Sequence, residues 1–483
     1  MFAACTLFLA ACGKQTVKIM TPPDASNRVL FSAEQLQTTL DKAGYQVMMQ
    51  QGDTTFSDPE IKTILLTEVN DTTLKKEGFH ITTTGNLTRV SGRDGSGVIY
   101  GCRELIDRVN DSEGKLNFPE ELKDGPEMVL RGACVGLQKM TYLPGHGVYE
   151  YPYTPESFPW FYDKEQWIKY LDMLVANRMN SLYLWNGHPF ASLVKLEDYP
   201  FALEVDEETF KKNEEMFSFL TEEADKRGIF VIQMFYNIIL SKPFAEHYGL
   251  KTQDRNRPIT PLIADYTRKS IAAFIEKYPN VGLLVCLGEA MCTVEDDVEW
   301  FTKTIIPGVK DGLQALGRTD EPPLLLRAHD TDCKLVMDAA LPIYKNLYTM
   351  HKYNGESLTT YEPRGPWSKI HTDLSSLGSI HISNVHILAN LEPFRWGSPD
   401  FVQKAVQAMH NVHGANALHL YPQASYWDWP YTADKLPNGE REFQLDRDWI
   451  WYQTWGRYAW NSHRDRADEI GSCNPKSFSV KYL

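Results

Sequence analysis

The chain has 483 residues, 43% of them hydrophobic and 12% aromatic, which is enough for two or three domains with packed cores. Its formal net charge of −14 and the lack of a basic tract argue against nucleic acid or an anionic membrane surface as the main partner. The 12 Trp, 24 Tyr and 22 Phe suit stacking on the apolar faces of sugars, although a large core uses the same residues.

The N-terminal residues 1–12 form an apolar run that ends in Leu9-Ala10-Ala11-Cys12. This ending resembles the lipobox of bacterial lipoproteins. We therefore predict a signal peptide over residues 1–12, lipidation of Cys12 and a lipid-anchored location in the bacterial cell envelope, either periplasmic or at the outer membrane. The alternative is a short secretory segment or a wrongly chosen start, because the basic n-region is missing.

Residues 16–124 predict a small α/β domain. The helix "SAEQLQTTLDKAG" has Ser32 as its predicted N-cap and ends at Gly44. The predicted strands are "TVKIM", "IKTILLTEV", "GFHITTTGN" and "LTRVSG", and "GVIYGCRELIDRVN" is a closing helix. This order resembles the N-terminal domain beside the barrel in several exo-acting glycoside hydrolases, of the family 67 and family 20 type. After it, "FPEELKDGPEM" is predicted as a linker.

Residues 128–432 alternate short apolar strands with amphipathic helices. The eight predicted strands are "VLRGACV", "SLYLW", "GIFVIQMF", "GLLVCLG", "PLLLRAH", "LYTMHKY", "VHILANLE" and "ALHLYP". This alternation predicts a (β/α)8 TIM barrel in an α/β protein. A doubly wound open sheet is the alternative, although no Gly-rich phosphate loop follows its first strand. Residues 440–483 predict the start of a C-terminal helical region, rich in aromatics and truncated at its end.

The strand ends predict where the chemistry lies, because active sites of such barrels lie at the C-terminal ends of the strands. Glu289 follows strand four and Glu392 closes predicted strand seven. A pair of carboxyl groups is what glycosidic bond cleavage requires, one as an acid and one to activate water or attack carbon. Because strands four and seven lie nearly opposite each other, we predict an inverting arrangement. The alternative is that each Glu forms a salt bridge or a helix N-cap at the rim.

Two cations, Arg327 and Lys352, end strands five and six. A planar Arg fork suits a carboxylate, so we predict that the pocket holds an acidic sugar such as a uronic acid. The alternative is that Glu289, Asp330 or Glu392 neutralises the two cations internally.

Other strand ends carry polar and aromatic side chains that we predict to bind substrate. They are Trp185, Asn186, His188, Tyr236, Asn354 and Asp330. Trp396, Tyr426 and Trp427 are further candidates for a sugar platform, although rim aromatics also serve packing. Asp330 and Asp332 form a second acid pair or cap the helix that starts near Cys333. His329 and His351 are predicted as hydrogen-bonded pocket residues. We expect no metal and no cofactor, because no Cys/His/carboxylate metal spacing is present.

Several segments resemble the α-glucuronidases of glycoside hydrolase family 67 in order and spacing, from about residue 17 to 470. They are "RGACVG", "SLYLWNG", "GIFVIQMF", "LGEA", "LLLRAHD", "HKYNGESLTTYEP" and "TWGRYAWN". The resemblance implies a metal-free, inverting exo-enzyme that removes glucuronic acid from xylan oligosaccharides. It implies that Glu289 is the general acid, that Arg327 and Lys352 grip the uronate, and that Glu392 helps to activate water.

The sequence departs from that family at the residues expected to activate water. The family pairs its water-activating Glu with an Asp in the segment that reads "ESLTTY" in this chain, where Glu356 is the only acid. We therefore predict an exo-acting hydrolase of an α-linked uronic acid, with Glu356 assisting Glu392. The alternatives are an exo-glycosidase of another terminal sugar, such as a hexosaminidase-like enzyme, and a glycan-binding lipoprotein without catalysis. The oligomeric state is not predicted.

Overall fold

A computed structural model describes residues 14–56, 58–137, 152–236, 239–278, 280–289, 291–356, 358–386, 398–421 and 431–465. The chain divides into two compact units, whose described parts lie within residues 14–126 and 127–465. Among the described residues, each helix is too short or too polar to cross a lipid bilayer.

The N-terminal unit is one six-stranded sheet with two helices. The strand order is β2-β1-β3-β5-β4-β6, with β4 antiparallel to β5 and to β6 and the other pairs parallel. The strands are β1 (Thr16–Thr21), β2 (Gln46–Gln51), β3 (Lys62–Glu68), β4 (Phe79–Thr84), β5 (Leu87–Gly92) and β6 (Glu121–Asp124). The helices are α1 (Asn27–Lys42) and α2 (Gly95–Asp111).

Two details of this unit differ from prediction. Helix α1 begins at Asn27 and its N-cap is Ser26, which accepts a hydrogen bond from the Val29 amide. Ser32, the predicted cap, lies inside the helix and donates to the Arg28 carbonyl at 2.7 Å. The predicted linker contains β6, because its residues 121–124 pair with β4 at the sheet edge, where alternate side chains face water.

The second unit contains a closed barrel of eight parallel strands, which confirms the predicted (β/α)8 fold. The strand order around the barrel is β10-β11-β12-β13-β14-β7-β8-β9, and every neighbouring pair is parallel. The strands are β7 (Leu130–Gly136), β8 (Ser181–Trp185), β9 (Phe230–Tyr236), β10 (Val281–Cys286), β11 (Leu324–Arg327), β12 (Leu347–Glu356), β13 (Ile380–His386) and β14 (Ala417–Tyr421).

Helices lie between the barrel strands in chain order and continue after the last one. They are α3 (Lys164–Ala176), α4 (Phe190–Leu193), α5 (Glu207–Lys226), α6 (Lys242–His247), α7 (Pro261–Lys277), α8 (Val294–Trp300), α9 (Ile306–Ala315), α10 (Cys333–Ala340), α11 (Pro366–Ser375), α12 (Pro399–Gln407), α13 (Gln444–Arg447) and α14 (Trp449–Trp460). A short hairpin of β15 (Tyr431–Lys435) and β16 (Arg441–Phe443) precedes α13. The aromatic helix predicted after residue 440 is therefore present as α14.

Strand seven starts five residues earlier than predicted. The observed strand β13 is "IHISNVH", whereas the prediction begins at Val385. The strand contains His381, Ser383 and Asn384, which are buried, and buried polar residues resemble a loop in sequence. Burial of His381 is possible because its ring nitrogens bond Thr349 and His371. Glu392 is therefore not a residue of β13 as the structure bounds it.

Arg131 lies near the N-terminal end of β7, at the opposite end of the barrel from the predicted rim. Its side chain is fully buried, and it donates to the carbonyls of Arg178 and Met128, both at 2.7 Å. Its guanidinium lies 5.2 Å from the ring centroid of Trp460 in α14. Arg131 thus joins the base of the barrel to the C-terminal helix.

A buried histidine cluster supports β12, the strand that carries Lys352. His371 of α11 donates from Nε2 to the Tyr353 carbonyl at 3.1 Å. A neutral imidazole carries one proton, so Nδ1 of neutral His371 is an acceptor, and it accepts from Nε2 of His381 at 2.9 Å. His351 packs on His371 with ring centroids 5.6 Å apart. Burial lowers the pKa of His371 to about 3 and that of His351 to about 4. Both rings are therefore neutral in the folded chain at pH 5.

This cluster predicts that the fold loses stability in mild acid. An unfolded histidine takes up a proton near pH 6.5, whereas these rings stay neutral, so the unfolded chain binds more protons below that pH. The contribution of the neutral rings to the free energy of unfolding is complete above about pH 6.5. It decreases as the pH falls toward the pKa values of the two histidines in the folded chain. We expect the melting temperature at pH 5 to be several degrees, on the order of 5 °C, below that at pH 7.

Differential scanning calorimetry of two variants tests this expectation. His371→Gln should lower the melting temperature at pH 7 and also reduce its dependence on pH, because one titrating group is removed. His463→Gln replaces an exposed ring and serves as the control, with the pH dependence of the parent chain. Equal pH dependence in His371→Gln and the parent chain would show that the cluster does not titrate as described.

Candidate active site

The turn after β10 places Glu289 at the C-terminal end of the barrel. Gly288 makes this possible, because a Cβ at that position would lie 1.9 Å from the backbone oxygen of Asp330. The Gly288 amide donates to Oγ1 of Thr331 at 3.0 Å, and its carbonyl accepts from Nη2 of Arg255 at 2.7 Å. The end of β10 is therefore fixed against the loop after β11, and Glu289 projects from a backbone with little freedom to move.

Three donors surround the Glu289 carboxylate. Tyr236 donates its hydroxyl to Oε2 at 2.6 Å. His329 Nδ1 lies 2.5 Å from Oε1, and Arg327 Nη1 lies 3.2 Å from the same oxygen. Because a carboxylate accepts and does not donate, the Nδ1 of His329 is assigned the proton. Both oxygens of Glu289 are thus occupied by donors from strands β9 and β11 and the loop after β11.

These contacts determine the charge of Glu289. Burial raises the pKa of its carboxyl group, but the hydrogen bond from His329, the charge of Arg327 and the hydrogen bond from Tyr236 together hold that pKa well below its usual range. Glu289 is therefore ionised at neutral pH. An ionised carboxylate can accept a proton from water or attack carbon, but it has no proton to donate.

Arg327 is held from three sides. Its side chain is 4% exposed, and its guanidinium lies 5.1 Å from the ring centroid of Trp185 in a cation–π contact. Its Nη1 also donates to Sγ of Cys286 at 3.3 Å. Of the two interpretations of Arg327, internal neutralisation by Glu289 is present in the structure. The guanidinium plane is fixed before any ligand binds.

Lys352 adds a second buried cation to the same end of the barrel. It is 8% exposed and lies beside Asn384 in the register of β12 and β13. Burial raises the pKa of the Cys286 thiol to about 11, while the charges of Arg327 and Lys352 oppose that rise. The charges of Arg327, Lys352 and Glu289 therefore all act on the Cys286 thiol. Two buried cations, Arg327 and Lys352, thus lie close to the Cys286 thiol at this end of the barrel.

Asn186 and His188 lie behind the mouth of the barrel rather than on its open surface. Asn186 donates to the Leu137 carbonyl at 3.1 Å and accepts from the His188 amide at 2.9 Å. His188 Nε2 lies 3.0 Å from the Tyr266 hydroxyl, and burial lowers the pKa of His188 to about 3. Both residues shape the turn after β8.

Two of the aromatic residues predicted to contact sugar, Trp185 and Tyr236, are buried. Trp185 and Tyr236 are each 3% exposed, and their rings meet edge to face with centroids 5.9 Å apart. Together they form the wall on which Arg327 and Glu289 are held.

The remaining predicted residues occupy the rim or lie outside the described residues. Asn354 is half-buried and donates to Oγ1 of Thr359 at 3.0 Å. Asp330 has a φ of 52° and an exposed side chain 3.8 Å from Arg255. Asp332 caps α10 by accepting from the Leu335 amide at 3.1 Å, which confirms the capping interpretation.

Glu356 is the last residue of β12. Glu392, Cys12, Trp396, Tyr426 and Trp427 lie outside the described residues, so the lipid anchor stays a prediction.

Cys286 is the residue of the site that sequence reasoning missed. Its apolar surroundings in the sequence indicate a buried thiol of the core, yet it contacts Arg327 directly. The signal is the strand register, in which Tyr236, Cys286 and Arg327 are successive neighbours across β9, β10 and β11. Within the described residues, no group of three or more His, Cys, Asp or Glu side chains is arranged to hold a metal ion.

Comparisons with known proteins bear on the family. Neither a protein-family model nor a curated protein matches the chain. Among solved structures, the chain is 74% identical to a GH138 enzyme targeting pectin rhamnogalacturonan II, with a TM-score of 0.89. The alignment covers 94% of this chain and 52% of that protein, so the chain spans about half the length of this relative.

More distant structures share the fold alone. The Flavobacterium johnsoniae chitobiase aligns with a TM-score of 0.59 and 14% identity, over 96% of this chain and 69% of that one. The Streptomyces plicatus β-hexosaminidase aligns with a TM-score of 0.55 and 12% identity, over 93% of this chain and 88% of that one. The alignment with each of these structures extends over more than nine tenths of this chain.

The comparison corrects the predicted family. Short segments at strand ends carry the resemblance to family 67, whereas 74% identity extends over 94% of the chain. The xylan substrate and the roles carried over from that resemblance, including the general-acid role of Glu289, lose their support. The comparison agrees with the predicted class of glycoside hydrolase, and the relative that it finds is a GH138 enzyme and not a member of family 67.

Proposed function

We propose that this chain is the catalytic part of a glycoside hydrolase that removes a terminal, α-linked uronic acid from an acidic, pectin-type oligosaccharide. The observation that carries the proposal is the pair of buried cations, Arg327 and Lys352, at the mouth of the barrel beside the half-buried Glu289. Two buried cations at the mouth of the barrel suit a substrate that has its own carboxylate. The relative of 74% identity is described as targeting pectin rhamnogalacturonan II, and pectin is a polymer rich in uronic acids.

We assign Glu289 as the ionised carboxylate of the reaction, which activates water or attacks the anomeric carbon. Its three donors stabilise the ionised carboxylate. Protonation of Glu289 would weaken its contacts to Arg327 and His329, because the negative charge would be lost. The proton for the leaving oxygen then comes from a second carboxyl group. We propose Glu356 for this role, because it closes the strand that carries Lys352. Glu392 is the rival, and Glu356→Gln and Glu392→Gln distinguish them by which variant loses turnover.

A product screen tests the proposed substrate. The purified chain is incubated with pectin-derived oligosaccharides that end in galacturonic or glucuronic acid, and the products are identified by mass spectrometry. We expect release of one free uronic acid per chain end. Release of a neutral sugar, or cleavage inside the oligosaccharide, would contradict the proposal. Tight binding without release would instead support the glycan-binding alternative. Proton NMR of the fresh product then tests whether the anomeric configuration is inverted, as the sequence predicts.

Tyr236→Phe tests the charge of Glu289 within the same assay. Removing the hydroxyl removes a hydrogen bond to the ionised form, so the pKa of Glu289 should rise. Because the ionised form is the active one, the acid limb of kcat/KM should move to higher pH, by about one unit for about 1.4 kcal/mol of lost contact. Tyr266→Phe, which removes the hydroxyl bonded to His188, is the control and should leave the acid limb in place. An unchanged limb in Tyr236→Phe would contradict the assignment.

A further inference from the structure

The loop between β12 and α11 leads to an exposed tryptophan at the catalytic end of the barrel. Trp367 is 39% exposed and is the second residue of α11. Loops that follow barrel strands lie at the C-terminal face, where Glu289 also lies. Tyr361, on the same loop, is 42% exposed. These exposures contrast with the 3% of Trp185 and Tyr236, two of the aromatics predicted to contact sugar.

One side of Trp367 packs on the end of β12. A Cβ placed on Gly355 would lie 3.2 Å from Cζ2 of Trp367, so the indole packs directly on the backbone before Glu356. The indole also packs on His351, with ring centroids 5.5 Å apart. His351 in turn bonds the Lys352 carbonyl through Nδ1 at 2.8 Å. Trp367 is thus attached to the strand segment that holds Lys352 and ends in Glu356.

The backbone presents this indole rigidly. Gly365 has a φ of 60° and a ψ of −132°, and Pro366 follows it at the first position of α11. A proline at this position fixes the start of a helix, and the glycine supplies a turn that other residues reach only with strain. A large aromatic ring that stays partly exposed does not contribute the full free energy of hydrophobic burial to folding. The exposed ring offers a preformed surface to the apolar face of a ligand.

We propose that Trp367 forms the stacking wall of a further sugar subsite, which holds the sugar on the leaving-group side of the cleaved bond. The occupant is a pyranose ring of the same oligosaccharide, whose CH face stacks on the indole. This inference rests on the proposed function, and it adds the position from which the remainder of the glycan is recognised. Its structural basis is that Trp367 packs on Gly355 and on His351, and that His351 bonds the carbonyl of Lys352 at the end of β12.

Kinetics on two substrates test the subsite. The first is a pectic oligosaccharide capped with a uronic acid, and the second is the 4-nitrophenyl α-glycoside of the same uronic acid, which lacks the neighbouring sugars. We expect Trp367→Ala to lower kcat/KM about 10-fold on the oligosaccharide, mainly through KM, and to leave the nitrophenyl substrate within about 2-fold. Trp367→Phe should recover most of the loss. Ile343→Ala, which removes a side chain of similar exposure just after α10, should change neither value.

The outcomes separate this inference from the proposed function. Equal losses on both substrates would mean that Trp367 only supports the end of β12, and no loss on the oligosaccharide would mean that no sugar contacts it. Either result overturns the subsite. If the parent chain hydrolyses neither substrate, the proposed function fails. Calorimetric binding of the same oligosaccharide to Glu289→Gln, with and without Trp367→Ala, then still decides the subsite, with about 10-fold weaker binding expected from a lost stacking contact.

Discussion

Replacing Glu289 by glutamine is expected to reduce kcat on the true substrate by about 10²–10⁴-fold, the usual effect of removing a group that transfers a proton. The amide has almost the same shape, so the barrel should fold as before. It cannot be ionised, however, and it cannot accept a proton from water. It also presents an NH₂ group toward Arg327 or His329, which are themselves donors.

The measurement is kcat for release of uronic acid, with a melting curve for each variant. Glu295→Gln is the matched control, because Glu295 is an acid on α8, a short distance further along the chain and outside the group of donors around Glu289, and it should retain full activity. Turnover of Glu289→Gln within a few-fold of the parent chain would remove Glu289 from the reaction and with it the assignment of the site.

Replacing Arg131 by methionine is expected to give the largest loss of stability among single changes, about 3–5 kcal/mol. Methionine fills much of the volume, but it leaves the carbonyls of Arg178 and Met128 without their buried donor. It also removes the cation next to Trp460, so the contact between the barrel and α14 is weakened. The free energy of unfolding of the barrel unit is measured by guanidinium denaturation followed by tryptophan fluorescence.

The control is Arg268→Met, which breaks a two-point ion pair with Asp311 on the protein surface. Arg268 is 45% exposed, so this change is expected to cost less than about 1 kcal/mol. A loss as small in Arg131→Met as in Arg268→Met would show that the two carbonyls find other partners. Activity of Arg131→Met at low temperature should remain near normal, because Arg131 lies at the opposite end of the barrel from Glu289.

The sequence predicts the barrel because hydrophobic periodicity and the alternation of strands and helices are local properties of the chain. The start of strand seven is predicted wrongly for a non-local reason. His381 and Asn384 are polar and buried, and His381 is satisfied by Thr349 and His371, from other elements. No pattern within the strand reveals those partners.

The sequence predicts the members of the candidate site but not their contacts. The rule that active-site residues follow strands identifies Glu289, Arg327 and Lys352. That rule cannot show that Arg327 neutralises Glu289, because the pairing depends on how β10 and β11 are aligned. The predicted family is wrong because short polar motifs at strand ends serve many barrels, whereas identity over the whole chain is far more specific.

The charge of Glu289 is the central claim, and carbon-13 NMR of carboxyl-labelled glutamate measures it directly. The resonance is assigned as the one missing from Glu289→Gln, and its shift is followed from about pH 3 to about pH 8, a range that spans the ordinary glutamate midpoint. Tyr236, His329 and Arg327 all donate to the carboxylate and stabilise its ionised form. We therefore expect the midpoint of the titration to lie below about pH 4, which is lower than the ordinary midpoint of a glutamate. A midpoint at or above the ordinary value of about pH 4.3 would contradict the account, since the three neighbouring groups would then not stabilise the ionised form of Glu289.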